Sequence, residues 1–292
     1  VDSETHDVEV WPLPVVGFDV NNPVCITYPS VFDNSNYPSP AAATWIWDFG
    51  DGSPTVTSTT PGTTHTYASV GTYNVTLTII DTNGCQDSFT APAIVNDHPH
   101  PDFTAADVCL GFTTTFVNSL TTMSSYVWDF GDGSPTVTST TPGMTHTYGD
   151  YGAYDVILTV TDAFGCVGID TTTIFVRPQP DADFTWSDVC LGFDMSFNDN
   201  TNYNIDPTSG SASSWLWDFG DGVGTSTAAN PLYNYNSSGV YSVSLFVTDI
   251  YGCVDSETHD VEVWPLPVVG FDVNNPVCIT YPSVFDNSNY PS

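Results

Sequence analysis

Six letters, Trp-Asp-Phe-Gly-Asp-Gly, occur three times in this chain, beginning at Trp47, Trp128 and Trp217. Each copy follows an apolar-aromatic lead-in (Trp45-Ile46, Tyr126-Val127, Trp215-Leu216) and precedes a Ser/Thr-rich stretch. A large aromatic feeding a Gly-Asp-Gly corner reads as the end of a buried strand: Trp and Phe supply core area, and glycine takes the positive φ that a tight turn needs. The expected structural residues are Trp47, Asp48, Gly50, Asp51 and Gly52, then Trp128, Asp129, Gly131, Asp132 and Gly133, then Trp217, Asp218, Gly220, Asp221 and Gly222. Three copies of one turn-and-core device mean three copies of one module.

After each turn the chain alternates with period two. Tyr73, Val75, Leu77 and Ile79 share one face, as do Tyr154, Val156, Leu158 and Val160, and Tyr241, Val243, Leu245 and Val247. That is the mark of a half-buried strand. Phe112, Thr114 and Phe116 are expected on one face of an earlier strand. About seven strands per module suit an immunoglobulin-like sandwich.

Residues 1–39 return letter for letter as residues 254–292, an offset of 253. The turn motifs start 81 and 89 residues apart, and a copy at 300 would close the period with a spacing of 83. One period therefore holds three modules. The expected divisions are 1–11 (last strand of a preceding module, a copy of 254–264), 12–97, 98–177 and 178–264 (modules one to three), and 265–292 (start of the next copy of module one). Two accounts of the overlap stay open: a window from a longer tandem polymer, or a chain of this length whose ends complement neighbouring subunits by strand donation. Short Pro-containing links at Pro12 and Pro14, Pro99 and Pro101, and Pro178 and Pro180 imply a semi-rigid, rod-like array.

The charge balance narrows the function. There are 34 acidic residues against one basic residue, Arg177, for a net charge of -33. Phosphate binding needs Lys and Arg, so a nucleic-acid partner is excluded in practice, and an anionic membrane surface is disfavoured. No apolar run approaches the roughly 18 residues of a spanning helix, so membrane insertion is not expected. Disorder usually accompanies such charge, but 14% of the residues are aromatic, and that argues for folded cores.

The chain resembles polycystic-kidney-disease (PKD) repeats, whose hallmark is this turn followed by His-x-Tyr, Gly-x-Tyr and an alternating strand. Here those are His65-Thr66-Tyr67 with Gly71-Thr72-Tyr73, and His146-Thr147-Tyr148 with Gly152-Ala153-Tyr154. Module three departs, with Tyr233-Asn234-Tyr235 where His-x-Tyr would fall. The resemblance implies an all-β array of immunoglobulin-like sandwiches, found outside cells or on their surface as spacers or adhesive modules. It implies no catalysis.

The cysteines sort by module: Cys25 with Cys85, Cys109 with Cys166, and Cys190 with Cys253. Repetition favours pairing within each module. Cys278 is Cys25 displaced by 253, with its expected partner at 338. Bridged cysteines point to an oxidising, extracellular compartment.

The turn acids Asp48, Asp51, Asp129, Asp132, Asp218 and Asp221 are candidates for Ca²⁺, but Ca²⁺ takes six to eight oxygens and no dense loop supplies them. The plainer expectation is that they accept turn N–H groups and that no cofactor is needed. Asn74 and Asn236 open N-linked glycosylation sequons. Near-identical modules argue against an enzyme, because catalysis needs one asymmetric constellation. The expected function is the structural repeat unit of an extracellular filament or cell-surface stalk, whose partner is itself through adjacent repeats or subunits. The alternative is a surface adhesin whose modules bind glycan or a partner protein.

Overall fold

A computed structural model describes residues 4–37, 42–203 and 210–270, with two short strands beyond them at 272–273 and 285–286. The first module forms β1 (Asp19–Val20), β2 (Val24–Cys25), β3 (Ser30–Asp33), β4 (Ala42–Asp48), β5 (Val56–Ser58), β6 (Gly62–His65), β7 (Gly71–Asp81) and β8 (Gln86–Asn96). The second forms β9 (Phe103–Thr104), β10 (Val108–Cys109), β11 (Thr113–Asn118), β12 (Ser125–Asp129), β13 (Val137–Ser139), β14 (Gly143–Thr147), β15 (Gly152–Thr161) and β16 (Val167–Arg177). The third forms β17 (Phe184–Trp186), β18 (Val189–Cys190), β19 (Met195–Asp199), β20 (Ala212–Asp218), β21 (Thr225–Ser226), β22 (Leu232–Tyr233), β23 (Gly239–Asp249) and β24 (Val254–Trp264). No helix occurs among the described residues.

Each module is a sandwich of two sheets. In the first, β2-β8-β7-β4-β5 face β1-β3-β6; in the third, β18-β24-β23-β20-β21 face β17-β19-β22. The middle module repeats the register, with Trp128 opposite Leu158 and Val108 parallel to Val176. Eight strands stand where about seven were expected, because two-residue strands leave little trace in a hydropathy pattern.

The alternating faces reach the core. Val75, Leu77 and Ile79 are buried, as are Val156, Leu158 and Val160, and Val243, Leu245 and Val247. Each motif Trp is fully buried and meets the edge of a Phe from the first strand region: Phe18 to Trp47 at 5.3 Å, Phe103 to Trp128 at 5.1 Å, and Phe184 to Trp217 at 5.1 Å. Such edge-to-face pairs contribute about 0.5–1.5 kcal/mol beyond the buried area. Thr114 and Phe116 are buried in β11, but Phe112 is exposed and lies in the turn after Cys109, outside that strand.

By compactness the chain forms two units. One is Val1–Ala105, Thr115–His146 and Asp155–Thr173; the other is Ala106–Thr114, Thr147–Tyr154 and Ile174–Ser292. The division runs through the middle module.

Residues 4–11 carry no strand, against the expectation of a closing strand there. The same letters at 257–264 lie in β24, hydrogen-bonded along β23. In the next copy of module one, β25 (Asp272–Val273) pairs with β26 (Phe285–Asp286), with Asp272 opposite Asp286. That is the register of Asp19 opposite Asp33 in β1 and β3.

Glycine is required twice in the motif turn, for different reasons. Gly131 has φ 74° and Gly133 φ 81°. A Cβ on Gly131 would sit 2.5 Å from the Asp155 carbonyl oxygen, whereas one on Gly133 would meet nothing within 4 Å. Gly133→Ala is therefore expected to cost about 1–2 kcal/mol, the left-handed backbone alone. Gly131→Ala adds a clash of about 1–3 kcal/mol more. Denaturant unfolding monitored by tryptophan fluorescence checks the order; equal losses would contradict it.

Candidate functional site at the module ends

The cysteines mark the two ends of each module. Cys25 sits in β2, which runs parallel to β8 with Cys25 opposite Asn96. Cys85 immediately precedes β8, at its other end. Eleven residues of strand, from Cys85 to Asn96, span about 36 Å, whereas bridged cysteines have Cα atoms within about 7 Å. Cys190, opposite Trp264, and Cys253, just before β24, stand in the same relation. Pairing within a module is therefore geometrically impossible, and the expectation of Cys25–Cys85 and Cys190–Cys253 bridges is corrected.

The bridges instead join consecutive modules. Cys25 bonds Cys166 and Cys109 bonds Cys253, with Cα separations of 5.5 and 5.6 Å. Cys85 and Cys190 are free thiols, and the expected Cys109–Cys166 pairing falls with the others. Cys278 lies outside the described residues.

Each late cysteine stands on a turn built by an aspartate four residues earlier. Asp81 Oδ1 accepts the N–H groups of Asn83 and Cys85; Asp162 Oδ1 accepts those of Phe164 and Cys166; Asp249 Oδ1 accepts those of Tyr251 and Cys253. The sequence signal, Asp-x-x-Gly-Cys, is present three times, and sorting cysteines by module passes over it. Each early cysteine is pinned by a polar side chain just before it. Asn22 Oδ1 accepts from the Ile94 N–H, and Asp107 Oδ1 from the Phe175 N–H, in the neighbouring last strand.

Aromatic and charged groups crowd these ends. The Arg177 guanidinium pairs with Asp107 at 3.0 Å and lies 4.1 Å over the Tyr251 ring, two residues from Cys253. At the first bridge, His98 Nε2 contacts the Ile26 carbonyl at 3.0 Å and its ring meets Tyr28 edge-on. Gly168 faces the Pro99 carbonyl so closely that no Cβ could fit.

The motif turns are closed by their own acids. Asp48, Asp129 and Asp218 accept the N–H two residues on. Asp51 Oδ1 takes the N–H and hydroxyl of Ser53, and its Oδ2 meets His65 Nε2 at 2.7 Å. His65 stacks on Phe49 at 4.0 Å. Asp132, Ser134 and His146 repeat the arrangement on Phe130. The Oδ1 atoms are thus turned to N–H and hydroxyl donors of the same turn, and Oδ2 of Asp51 and Asp132 to a histidine on β6 or β14.

The sequence profile of the PKD domain matches residues 11–96, 96–176 and 177–264. The chain belongs to the PKD domain family. Polycystin-1 from Homo sapiens is 44% identical over 71 residues, covering 24% of this chain and 2% of that protein. Microbial collagenase from Vibrio alginolyticus is 46% identical over 73 residues, covering 25% of this chain and 8% of that protein. The chain thus spans under a tenth of these relatives' length. Among solved structures, the PKD1 domain from Vibrio cholerae metalloprotease PrtV is 34% identical, covering 30% of this chain and 98% of that one, with a TM-score of 0.26.

The third PKD module replaces the motif histidine with Tyr233. Its ring stacks on Phe219 at 4.0 Å and its hydroxyl donates to Asp221 Oδ2. That bond holds the Asp221 carboxyl below the usual carboxylate range and pushes the Tyr233 phenol up to about 12. Two different side chains therefore satisfy one requirement: a flat ring on the Phe and a donor to the Asp.

Burial pushes the Asp51 and Asp132 carboxyls up, but the Ser53 and Ser134 hydroxyls, the two histidines and the serine N–H groups more than offset it, holding both at about 2. With the folded value below the ordinary 3.8, the ionised carboxylates stabilise the modules above that pH, and the contribution is lost as pH falls towards 2. Asp51→Asn with Asp132→Asn should cost about 1–3 kcal/mol per site at neutral pH. It should also flatten the loss of stability between about pH 5 and about pH 2. Urea unfolding across that range checks both; a variant with the parental pH slope would refute the assignment.

Proposed function

We propose that this chain is the structural repeat unit of an extracellular filament or cell-surface stalk, built on a 253-residue period of three PKD modules at 12–97, 98–177 and 178–264. The observation that carries the reading is the placement of the disulfides. They do not brace sandwich interiors; they join one module to the next. A bridge between modules does nothing for a single domain, but it locks a junction against bending and pulling. An exact internal copy of 39 residues supports a chain made to be repeated.

The bridges favour an oxidising compartment outside the cell. The near-absence of lysine and arginine fits the same setting: the one basic residue, Arg177, precedes Pro178 and is tied to Asp107, so trypsin-like proteases find no ready site. Of the exposed aromatics, Tyr28, Phe112, Phe164, Phe193 and Tyr251 flank the cysteines at module ends, while Phe89 on β8 and Phe246 on β23 stand in different modules. That favours a scaffold over a glycan-binding surface, and on this reading the chain has no catalytic role of its own. Asn74 and Asn236 are exposed and remain acceptors for sugar in this proposal.

Electron microscopy of the native material tests the reading. Long uniform fibres or stalks are expected. Dispersed single molecules that bind a glycan or a partner protein would replace it with the adhesin alternative.

A further inference from the structure

Cys85 and Cys190 are free, yet each sits in a half-site with the same backbone geometry as one that is bonded elsewhere in the chain. The turn holding Cys85 has the same Asp acceptor as those of Cys166 and Cys253, with N–H to Oδ1 distances of 2.7, 2.9 and 2.8 Å. The preceding glycines Gly84, Gly165 and Gly252 have φ of 84°, 85° and 85°. On the other side, Cys190 lies opposite Trp264 in the parallel pairing that sets Cys25 opposite Asn96 and Cys109 opposite Arg177. Its carbonyl accepts the Phe193 N–H at 3.2 Å, as Cys25 accepts that of Tyr28 and Cys109 that of Phe112.

Both formed bridges obey one rule: the early cysteine of a module bonds the late cysteine of the next, 141 and 144 residues further on. After module three the chain enters a second copy of module one. The first 28 residues of that copy, 265–292, repeat 12–39, and Asp272 already pairs with Asp286 in the register of Asp19 with Asp33. On the repeat-unit reading, that copy carries its late cysteine at the Cys85 position, 148 residues beyond Cys190 on the 253-residue period. The surface around Cys190 is uncovered and apolar: Trp264, Phe193 and Leu266 are exposed. Bonding buries the late cysteine, since Cys166 and Cys253 are 1% exposed while Cys85 is only half-buried.

We propose that Cys190 of one copy of this repeat and Cys85 of the following copy form a third disulfide, so that every module junction of the assembled protein is bridged. The chemistry is thiol–disulfide exchange with a disulfide oxidant of the oxidising compartment, either a small-molecule disulfide or a dithiol oxidase. The Cys190 thiolate attacks the oxidant and releases one of its sulfurs as a thiol. The Cys85 thiolate of the next copy then attacks the Cys190 sulfur of the mixed disulfide and releases the second. Two protein thiols lose two electrons and two protons, and the oxidant gains them.

The proposal rests on the repeat-unit reading, and peptide mapping of the native material tests it. The material is alkylated unreduced and digested with a protease that cuts at aromatic or acidic residues, because trypsin finds too few sites. A linked pair joining the Cys85 and Cys190 peptides is expected, with alkylation of both cysteines at least about tenfold below the reduced, denatured control. Recovery of both as alkylated thiols would overturn the proposal, as would a Cys190–Cys253 or a Cys25–Cys85 linked pair. The two readings fail separately. Fibres in the microscope with both thiols alkylated sink the bridge and leave the filament; a Cys85–Cys190 pair in material without fibres or stalks does the reverse.

Discussion

Two residues of parallel pairing govern how this protein is held together. When β2 turns to run alongside the far end of β8, Cys25 is carried to the end of the sandwich from which the chain leaves for the next module. The long hairpin of β7 and β8 carries Cys85 to the opposite end. From that moment the two cysteines of one module cannot meet. Each can meet only the complementary cysteine of a neighbour, and repetition of the module turns a local pairing choice into a rule for the array. In a single-domain sandwich a disulfide constrains the unfolded state of that domain; here it constrains the angle and separation of two domains that are each already held by a tryptophan core.

The second constraint is electrostatic. With 34 acids and one base, ordinary ion pairing is not available to most carboxylates. The structure uses them as hydrogen-bond acceptors instead. Asp48 and Asp51 close the motif turn, and Asp81 closes the cysteine turn, each by taking N–H or hydroxyl protons from residues two to four positions along. The N–H and hydroxyl donors stand where a lysine partner otherwise would. The same logic places the sole arginine: Arg177 lies at a bridged junction, between Asp107 and the face of Tyr251.

Much of the fold is legible in the letters. The motif tryptophans and the period-two runs identify strands and core directly, because burial of one sheet face leaves a pattern in the sequence. The cysteine connectivity is not legible. Counting by module gives a self-consistent answer that only the register of β2 refutes, and a two-residue strand carries no readable periodicity. The exchange of histidine for Tyr233 reads as a departure from the motif, because letters do not reveal that stacking and donation are what the site requires. Phe112 is misplaced for a related reason: it falls in phase with Thr114 and Phe116, but the turn after Cys109 intervenes.

One sequence in this chain appears in two settings and separates local preference from tertiary demand. Residues 257–264 lie in β24 with Val261 and Val263 at 1% and 2% exposure; the same letters at 4–11 carry no strand, with Val8 and Val10 at 84% and 85%. Propensity is equal because the letters are the same, so the difference is the partner: β23 lies beside one copy, and among the described residues no strand pairs with the other. Alternation marks a segment that is able to be a strand, and only a neighbouring edge makes it one. What holds for the strand holds for the cysteines. Their chemistry is fixed by residues close in sequence, and their partners are fixed by which module comes next.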